Sequence, residues 1–148
     1  MLQYLTLFLL SILPVIELRG GIPLGMQYGL PTFLIFILCV LGSLLGGILV
    51  LIILYYFEKI IDKGPFFKRF KEKILEHTRK KHSQKFQKLK EGLIIVLAAI
   101  PIPILGGSYT AALASYVFGV KKTTSILFIF LGLCIQALII LGPLKLLK

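Results

Sequence analysis

The stretch ELRGGIP, residues 17–23, places an acid and a base within a segment that is otherwise almost wholly apolar. Glu17 and Arg19 stand two residues apart, and two glycines and a proline follow them closely. A charge at the centre of a bilayer costs about 2.5–3.5 kcal/mol, so side chains of this kind face protein or a water-filled cavity. Because proline and paired glycine break helices, we expect this stretch to form the tip of a re-entrant hairpin.

The composition of the whole chain is that of a membrane protein. Of its 148 residues 57% are hydrophobic, and the mean hydropathy is +0.95, above the ordinary range of soluble domains. Three stretches carry no charged residue, and each exceeds the ~20 apolar residues that cross a bilayer: 20–57, 92–120 and 123–144. We therefore expect a single all-helical, multi-pass domain in the cell membrane, covering residues 1–148.

Proline and glycine breaks divide these apolar blocks further. The pieces before residue 31 would be only about 20 Å long at ~1.5 Å per residue, shorter than the ~30 Å hydrocarbon core, which favours a hairpin over two full crossings. A second break occurs in IPIPILGG, residues 100–107. The predicted segments are a re-entrant hairpin (1–30), a transmembrane helix (31–58), a basic amphipathic loop (59–90), a second re-entrant hairpin (91–120) and a second transmembrane helix (121–148).

The basic loop, residues 59–90, carries twelve Lys and Arg against three acids. The positive-inside rule predicts that this loop is cytoplasmic, and aromatic residues at helical spacing among the lysines indicate an amphipathic helix on the anionic leaflet. Topology and lipid contact already explain the charge, so we expect no nucleic-acid partner. Membrane lipids are the expected partners of this loop.

The sequence also has a weak internal symmetry. YGL at 28–30 corresponds to FGV at 118–120, and LG at 41–42 corresponds to LG at 131–132, both at an offset of 90 residues. A hairpin followed by a long helix, repeated once with the basic loop imposing opposite orientations, is the pattern of an inverted repeat. Four such elements barely enclose a pathway, which favours a homodimer.

Glu17 and Arg19 are the residues expected to carry the chemistry. A carboxyl group partly removed from water can take and release a proton as access alternates, whereas an arginine stays charged and would hold Glu17 or bind an anionic group such as a phosphate. If the hairpin is shallow, both side chains instead reach interfacial water. The residues predicted to line the two helix breaks are Gly20, Gly21, Pro23, Pro101, Pro103, Gly106, Gly107, Ser108 and Tyr109.

Catalytic and metal-binding patterns are missing from the sequence. It contains no Ser-His-Asp set, paired carboxylates, HExxH motif, Walker loop or dinucleotide fingerprint. His77 and His82 are five residues apart and would lie on different faces of a helix, so they are a poor metal pair. We therefore expect no enzymatic activity, no metal and no cofactor, and leave a proton or a sodium ion open as a coupling ion.

Two stretches resemble a known family. ELRGGIPLG at 17–25 and AAIPIPILGGSYTAALASYVFGVKK at 98–122 are similar to the two signature regions of the putative small multidrug export protein family, a prokaryotic membrane family. That family is similar in layout to the DedA/VTT superfamily, whose members carry two opposed re-entrant hairpins and are associated with lipid transport or scrambling. By position, Glu17 and Arg19 match the acid and base of the first motif, and Pro23 matches the proline after them.

The second region departs from the family pattern. The family tends toward a proline–glycine step and a tryptophan after the break, whereas this chain has Gly106-Gly107 and Tyr109 there. DedA proteins also bring arginines in their second hairpin, and residues 91–120 contain none. An anionic phospholipid headgroup and a drug-like amphiphile therefore both stay open as the cargo.

The sequence as a whole predicts a membrane transporter that moves a lipid or a small amphiphilic or drug-like molecule, with proton coupling through Glu17 as the hypothesis. One alternative is a passive lipid scramblase or channel, which needs no titrating acid and would keep its activity in Glu17→Gln. The other is a non-transporting membrane scaffold that acts through the basic loop, residues 59–90.

Overall fold

The fold is all-helical wherever the chain can be described. The computed structural model describes residues 2–61, 84–101 and 106–146, and these ranges contain six helices and no strand. The helices are α1 (Leu2–Ile12), α2 (Glu17–Gln27), α3 (Thr32–Ile61), α4 (Gln84–Ala99), α5 (Ser108–Val117) and α6 (Lys122–Leu146). The amphipathic helix predicted within residues 59–90 falls largely on positions outside the described residues.

Two of these helices are long and apolar enough to cross a membrane. The apolar stretches are Thr32–Tyr56 in α3 and Lys122–Leu144 in α6, which confirms the two long apolar helices predicted from the sequence. By contrast α1 and α2 have 11 residues each and α5 has 10. At ~1.5 Å per residue these short helices are roughly 15–17 Å long, about half of a ~30 Å hydrocarbon core.

The first helix break does not lie in ELRGGIP. It lies at residues 13–16, where Pro14 follows the end of α1. The prediction that Gly20, Gly21 and Pro23 break the chain was wrong, because all three lie inside α2. Arg19 is therefore held on a regular helix, and Glu17 is the first residue of that helix.

Packing explains why the paired glycines remain helical. A Cβ on Gly21 would lie 2.5 Å from the Ser11 Oγ of α1 and 2.9 Å from the Cys39 Sγ of α3, closer than Cβ atoms approach. Gly21 thus lets α2 approach both neighbouring helices. A glycine in a helix interior costs only about 1 kcal/mol relative to alanine, a penalty that tertiary packing readily offsets.

The second half of the chain reproduces the helix order and the turns of the first. The helices α2 and α5 are both followed by a left-handed glycine, Gly29 at φ 67° and Gly119 at φ 64°, and the two glycines are 90 residues apart. The amide of Leu30 donates to the carbonyl five residues earlier, and the amide of Val120 does the same. This is a glycine-terminated helix end of the same kind at both places.

The two long helices also bury equivalent positions. Of the pairs 90 residues apart, seven are buried on both helices: Ile35 and Ser125, Cys39 and Ile129, Gly42 and Gly132, Ser43 and Leu133, Gly46 and Gln136, Gly47 and Ala137, Leu51 and Leu141. In one of these pairs each glycine faces a backbone carbonyl, since a Cβ on Gly42 would lie 2.7 Å from the Phe8 carbonyl of α1 and a Cβ on Gly132 would lie 2.7 Å from the Ile95 carbonyl of α4. Each long helix therefore uses a glycine to let the first helix of its own half approach closely.

The packing of helices follows the same correspondence. Within each half the first helix packs on the second and on the long helix. Between the halves α2 packs on α6, α5 packs on α3, and α3 packs on α6. Tyr55 near the end of α3 contacts Val120 and Lys122 at the start of α6. The two long helices therefore run in opposite directions, and the two breaks are brought together between them.

Candidate functional site

Glu17 links the start of α2 to the start of α5. Its side chain is only 2% exposed, and its carboxyl oxygen Oε1 accepts hydrogen bonds from the Ser108 backbone N–H at 3.1 Å and from the Ser108 Oγ at 2.5 Å. The residue that precedes α5, Gly107, provides no side-chain cap. Glu17 therefore caps α5 from the other half of the chain, where an acidic group is favoured by the positive end of the helix dipole.

The backbone at Glu17 is unusual for a residue with a side chain. Its φ is 39°, and among the described residues it is the only non-glycine with a positive φ. The equivalent position 90 residues later is Gly107, with φ 108°. A non-glycine residue in this region is uncommon, and such backbone strain is concentrated at functional sites.

Gly107 is also required by its contact with Glu17. A Cβ at Gly107 would overlap the Glu17 Oε2 atom. Two independent reasons therefore favour glycine at this position, namely the left-handed backbone and the closeness of the carboxyl group.

Arg19 holds the two ends of the second break. Its Nη2 atom donates to the Gly106 carbonyl at 2.6 Å and to the Ile100 carbonyl at 3.3 Å. Ile100 directly follows α4 and Gly106 lies just before α5, so one guanidinium bridges the gap between these helices. Carbonyls at a helix end lack intrahelical partners and carry a partial negative charge, which is the environment that a fixed cation stabilises.

Gln136 of α6 completes the surroundings of Arg19. Its side chain is fully buried, and with its amide oriented to match its neighbours the nitrogen donates to the Ala98 carbonyl at 2.9 Å while the oxygen accepts from the Arg19 Nε at 3.2 Å. Gln136 therefore helps to hold the end of α4 and the arginine together. A buried amide with both groups satisfied makes a strong interhelical contact in an apolar interior.

Tyr109 of the second half makes the corresponding contact with the first half. Its hydroxyl donates to the carbonyl of Ile12, the last residue of α1. Positions 19 and 109 are 90 residues apart, and the side chain at each binds the end of the first helix of the opposite half. We refer to the five side chains Glu17, Arg19, Ser108, Tyr109 and Gln136 as the polar seam.

The two charges of the polar seam are not paired with each other. Both side chains are described, and no ion pair within 4 Å and no hydrogen bond joins Glu17 to Arg19. Each is instead satisfied by groups of the second half. Among the described residues, every buried side-chain nitrogen and oxygen has a hydrogen-bond partner.

The polar seam contains many, though not all, of the residues predicted to form a site. Glu17, Arg19, Ser108 and Tyr109 meet there, together with the backbone of Gly106 and Gly107. Pro101 is exposed just after α4, and Pro103 lies outside the described residues. The other three predicted residues, Gly20, Gly21 and Pro23, lie along α2.

Gln136 and the two backbone acceptors at Ile12 and Ile100 were not among the residues predicted to form the site. A signal for Gln136 existed, because it is the single amide side chain in α6. In the parts of the chain that the structure describes, no three His, Cys, Asp or Glu side chains lie close enough to hold a metal ion.

One protein family matches most of the chain, including the polar seam. The family described as "Putative small multi-drug export protein" matches residues 17–139. The match begins at Glu17 and includes both sides of the polar seam. No curated protein and no solved structure matches the chain.

Proposed function

Because the chain belongs to the family of putative small multi-drug export proteins, we propose that it is a membrane transporter that moves a lipid or a small amphiphilic, drug-like molecule. The observation that carries the proposal is the polar seam, in which a buried acid and an arginine join two broken helical elements. Broken helices at membrane depth are where transporters place their binding sites. An export protein is also consistent with the expected lack of enzymatic activity.

The proposed topology is a multi-pass arrangement in the cell membrane. In it, α1 with α2 and α4 with α5 form two re-entrant hairpins, α3 and α6 cross the bilayer, and the basic loop lies in the cytoplasm. The short lengths of α1, α2 and α5 support this arrangement, as do the opposite directions of α3 and α6. The matching turns and buried positions at an offset of 90 residues support an inverted repeat.

The polar seam would act as the contact that changes during transport. Its hydrogen bonds cross from one half to the other, joining Glu17 to Ser108, Arg19 to the second break, and Tyr109 to the end of α1. In an inverted repeat, access alternates when one half moves against the other. Movement of this kind requires these bonds to break and re-form, because they are the polar contacts that tie the two breaks together.

Protonation of Glu17 would provide the switch. As a carboxylate it accepts from both donors of Ser108, and such charge-assisted bonds are roughly twice as strong as neutral ones. A proton on the carboxyl group removes that charge and weakens its hold on the start of α5. Uptake and release of a proton at this atom would therefore couple the separation of α2 from α5 to a pH gradient, although a sodium ion is the other candidate for coupling.

Arg19 would contribute to substrate binding as well as to structure. Its guanidinium binds two backbone carbonyls, and a phosphate or carboxylate on an amphiphile is a stronger acceptor than either. An anionic headgroup could therefore replace one carbonyl without leaving the arginine unpaired. A homodimer forms part of the same proposal, since two chains enclose a pathway more completely than one.

Transport by reconstituted protein tests the proposal. The purified chain is placed in liposomes, and the movement of a fluorescent phospholipid and of a cationic dye is followed with and without a pH gradient. Wild type should accelerate at least one cargo and respond to the gradient. Glu17→Gln should lose the response to the gradient, and Arg19→Ala should slow movement of the cargo that carries a phosphate.

Glu91→Gln is the matched control for Glu17→Gln. Glu91 lies on α4 near the basic loop and has no hydrogen bond to the polar seam, so its loss should leave the gradient response intact. If neither cargo moves faster than in empty liposomes, the transport proposal fails. If a lipid moves but ignores both the gradient and Glu17→Gln, the chain is a passive scramblase or channel. A scaffold would instead lose its function on neutralisation of Arg79, Lys80 and Lys81.

A further inference from the structure

Gln136 is the residue that α6 contributes to the polar seam, and close packing of α6 on α4 fixes its place. Gly132 lies one turn earlier on α6, and a Cβ on Gly132 would overlap the Ala98 side chain of α4. Residues four positions apart lie on the same face of a helix, so Gln136 faces the end of α4 as well. Its amide is therefore held beside the carbonyls that end this helix.

The two groups that Gln136 binds have opposite requirements. The Arg19 Nε carries a hydrogen and needs an acceptor, whereas the Ala98 carbonyl lies in the last turn of α4 and needs a donor. A carboxylate only accepts and an ammonium only donates, but an amide does both within one planar group. Gln136 is fully buried, so a side chain that failed to match either neighbour would leave a buried polar group unpaired. An amide thus satisfies both neighbours at once.

The equivalent position in the first half shows that the fold does not require an amide here. Position 46 on α3 is 90 residues earlier and is a glycine, and a Cβ on Gly46 would overlap the Tyr109 hydroxyl. Positions 46 and 136 therefore face residues 109 and 19, which are also 90 residues apart. The long helix of the first half leaves space for a tyrosine, whereas that of the second half offers an acceptor to an arginine. The presence of Gln136 is thus linked to Arg19.

Gln136 binds Arg19 without adding a negative charge. The acceptors that bind Arg19 in the described structure are the Ile100 carbonyl, the Gly106 carbonyl and the Gln136 amide oxygen, and all three are neutral. A glutamate at position 136 would have nearly the same shape but would form an ion pair with the arginine. Residues 102–105 lie outside the described ranges, and their sequence, IPIL, contains no charged side chain. Arg19 is only partly buried, which leaves its side chain accessible to a ligand.

We infer that Gln136 is a positioning and specificity residue of the proposed transport site, where it prepares Arg19 to bind an amphiphile that carries a phosphate or carboxylate group. The inference rests on the proposed function, in which Arg19 binds that group. Gln136 holds the guanidinium through its Nε and keeps it at the end of α4. Because the amide is neutral, it does not compete with the ligand for the positive charge. A carboxylate in its place would repel an anionic amphiphile and favour a zwitterionic one.

Lipid binding by the purified protein in a neutral detergent tests the inference separately from transport. Radiolabelled dihexanoylphosphatidylglycerol is bound at equilibrium, and unlabelled dihexanoylphosphatidylcholine, which has the same acyl chains and no net charge, competes with it. Wild type should bind the anionic lipid more tightly. Gln136→Glu should weaken binding of the anionic lipid at least about tenfold, the effect of losing one hydrogen bond to a charged group, and should leave the affinity for the zwitterionic lipid nearly unchanged.

Two further variants show whether Gln136 acts through Arg19. Gln136→Met keeps a side chain of similar length without either hydrogen bond. It should weaken binding of the anionic lipid by about threefold, because the charge of Arg19 remains but its orientation is no longer fixed. When Arg19→Ala is already present, Gln136→Met should not change the ratio of the two affinities further. Gln136→Met introduces no buried charge, so it tests the inference even if Gln136→Glu does not fold.

Gln27→Glu is the matched control. It makes the same change of charge at an exposed position, the last residue of α2, about 12 Å along the helix from Arg19. Solvent screens a charge at such a position, so the ratio of affinities should change by less than about twofold. Equal losses in Gln27→Glu and Gln136→Glu would mean a diffuse charge effect and would overturn the inference. A Gln136→Glu variant that binds both lipids equally less well would also overturn it, because that is the result of a purely structural role.

Two comparisons complete the test. Displacement of the lipid by inorganic phosphate at the same concentration would overturn the assignment of an amphiphile as the ligand. If wild type moves no cargo in liposomes but shows the charge preference and its loss in Gln136→Glu, the transport proposal fails and the role of Gln136 in binding stands. If cargo moves but wild type binds the two lipids equally well, the inference about Gln136 is wrong and the transport proposal stands.

Discussion

The two halves of the molecule have the same order of helices and the same glycine turn after their second helix, but they differ at the positions that meet between them. Where the first half has Glu17 and Arg19, the second half has Gly107 and Tyr109 at an offset of 90 residues. The glycine makes room for the glutamate, and the arginine and the tyrosine each bind the end of the opposite half's first helix. The two halves thus have corresponding helices and turns, but the charged residues of the site come from the first half alone. We therefore expect the residues that differ between the halves to carry the function.

Glu17 and Arg19 also have separate binding partners in the second half. Arg19 binds carbonyls of the second break and Glu17 binds the donors of Ser108, so neither side chain depends on the other for its hydrogen bonds. Glu17 therefore holds the start of α5, whereas Arg19 bridges the gap between α4 and α5.

The largest loss of stability is expected when a side chain at position 107 fills the space next to the Glu17 carboxyl group. Gly107→Ala would place a methyl group on the Glu17 carboxyl group and force a residue with a side chain to adopt φ 108°. We expect a loss of at least about 3 kcal/mol in the free energy of unfolding, from the backbone strain and the overlap together. Denaturant or thermal unfolding of the purified protein in detergent measures this loss.

Gly92→Ala is the control for that substitution. Gly92 lies within α4, a Cβ there would meet no atom within 4 Å beyond its chain neighbours and its own helix backbone, and its φ is not positive. Alanine there should be neutral or stabilising by up to about 1 kcal/mol. If Gly107→Ala proves as stable as Gly92→Ala, the close contact between Gly107 and Glu17 is not present in the membrane-extracted protein.

Features that follow from local chemistry could be predicted from the sequence. The turns after α2 and α5 were visible as YGL and FGV, since a glycine is needed where φ is positive, and the two long helices follow from uninterrupted apolar stretches. The prominence of Glu17 and Arg19 likewise follows from the cost of charge in an apolar segment. Each of these inferences needs only a short window of sequence.

Features set by contacts between distant residues could not be predicted in this way. Propensity alone favours a break at Gly20-Gly21, but the approach of Ser11 and Cys39 to Gly21 makes glycine a packing requirement inside α2. The contact between Glu17 and Ser108 spans 91 residues, and no spacing in the sequence specifies it. Ser108 was predicted only to line the second break, and nothing in the sequence indicated that the cap of its helix comes from the other half.

Replacing Arg19 with tyrosine, the residue found at the equivalent position 109, should cause the next largest loss of stability. Arg19→Tyr reproduces Tyr109, but a single hydroxyl cannot bridge two carbonyls and leaves Gln136 without the donor of its side-chain oxygen. We expect a loss of about 2 kcal/mol in the free energy of unfolding, within the ~1.5–3 kcal/mol of hydrogen bonds to charged groups. Unfolding measurements in the same detergent would report it.

Arg19→Lys separates charge from geometry in that experiment. A lysine keeps the positive charge but lacks the planar fork that reaches both the Ile100 and Gly106 carbonyls, so it should recover only part of the lost stability. Full recovery by lysine would show that a point charge at the helix ends suffices and that the bridging geometry is unimportant.

The smallest effect is expected at the tyrosine, where the contact is neutral. Tyr109→Phe keeps the ring beside Gly46 and removes only the hydroxyl that donates to Ile12. A loss of about 1 kcal/mol in the free energy of unfolding is expected, because one neutral hydrogen bond contributes roughly 0.5–1.5 kcal/mol.

Amide hydrogen exchange distinguishes the contact of Tyr109 from that of Arg19. In Tyr109→Phe, exchange should increase at the end of α1 and stay unchanged in α4. In Arg19→Tyr, exchange should increase at the end of α4 and stay unchanged in α1. If both variants change exchange equally in α1 and α4, the prediction is contradicted. Tyr109 and Arg19 would then stabilise the whole molecule rather than the end of α1 and the end of α4 separately.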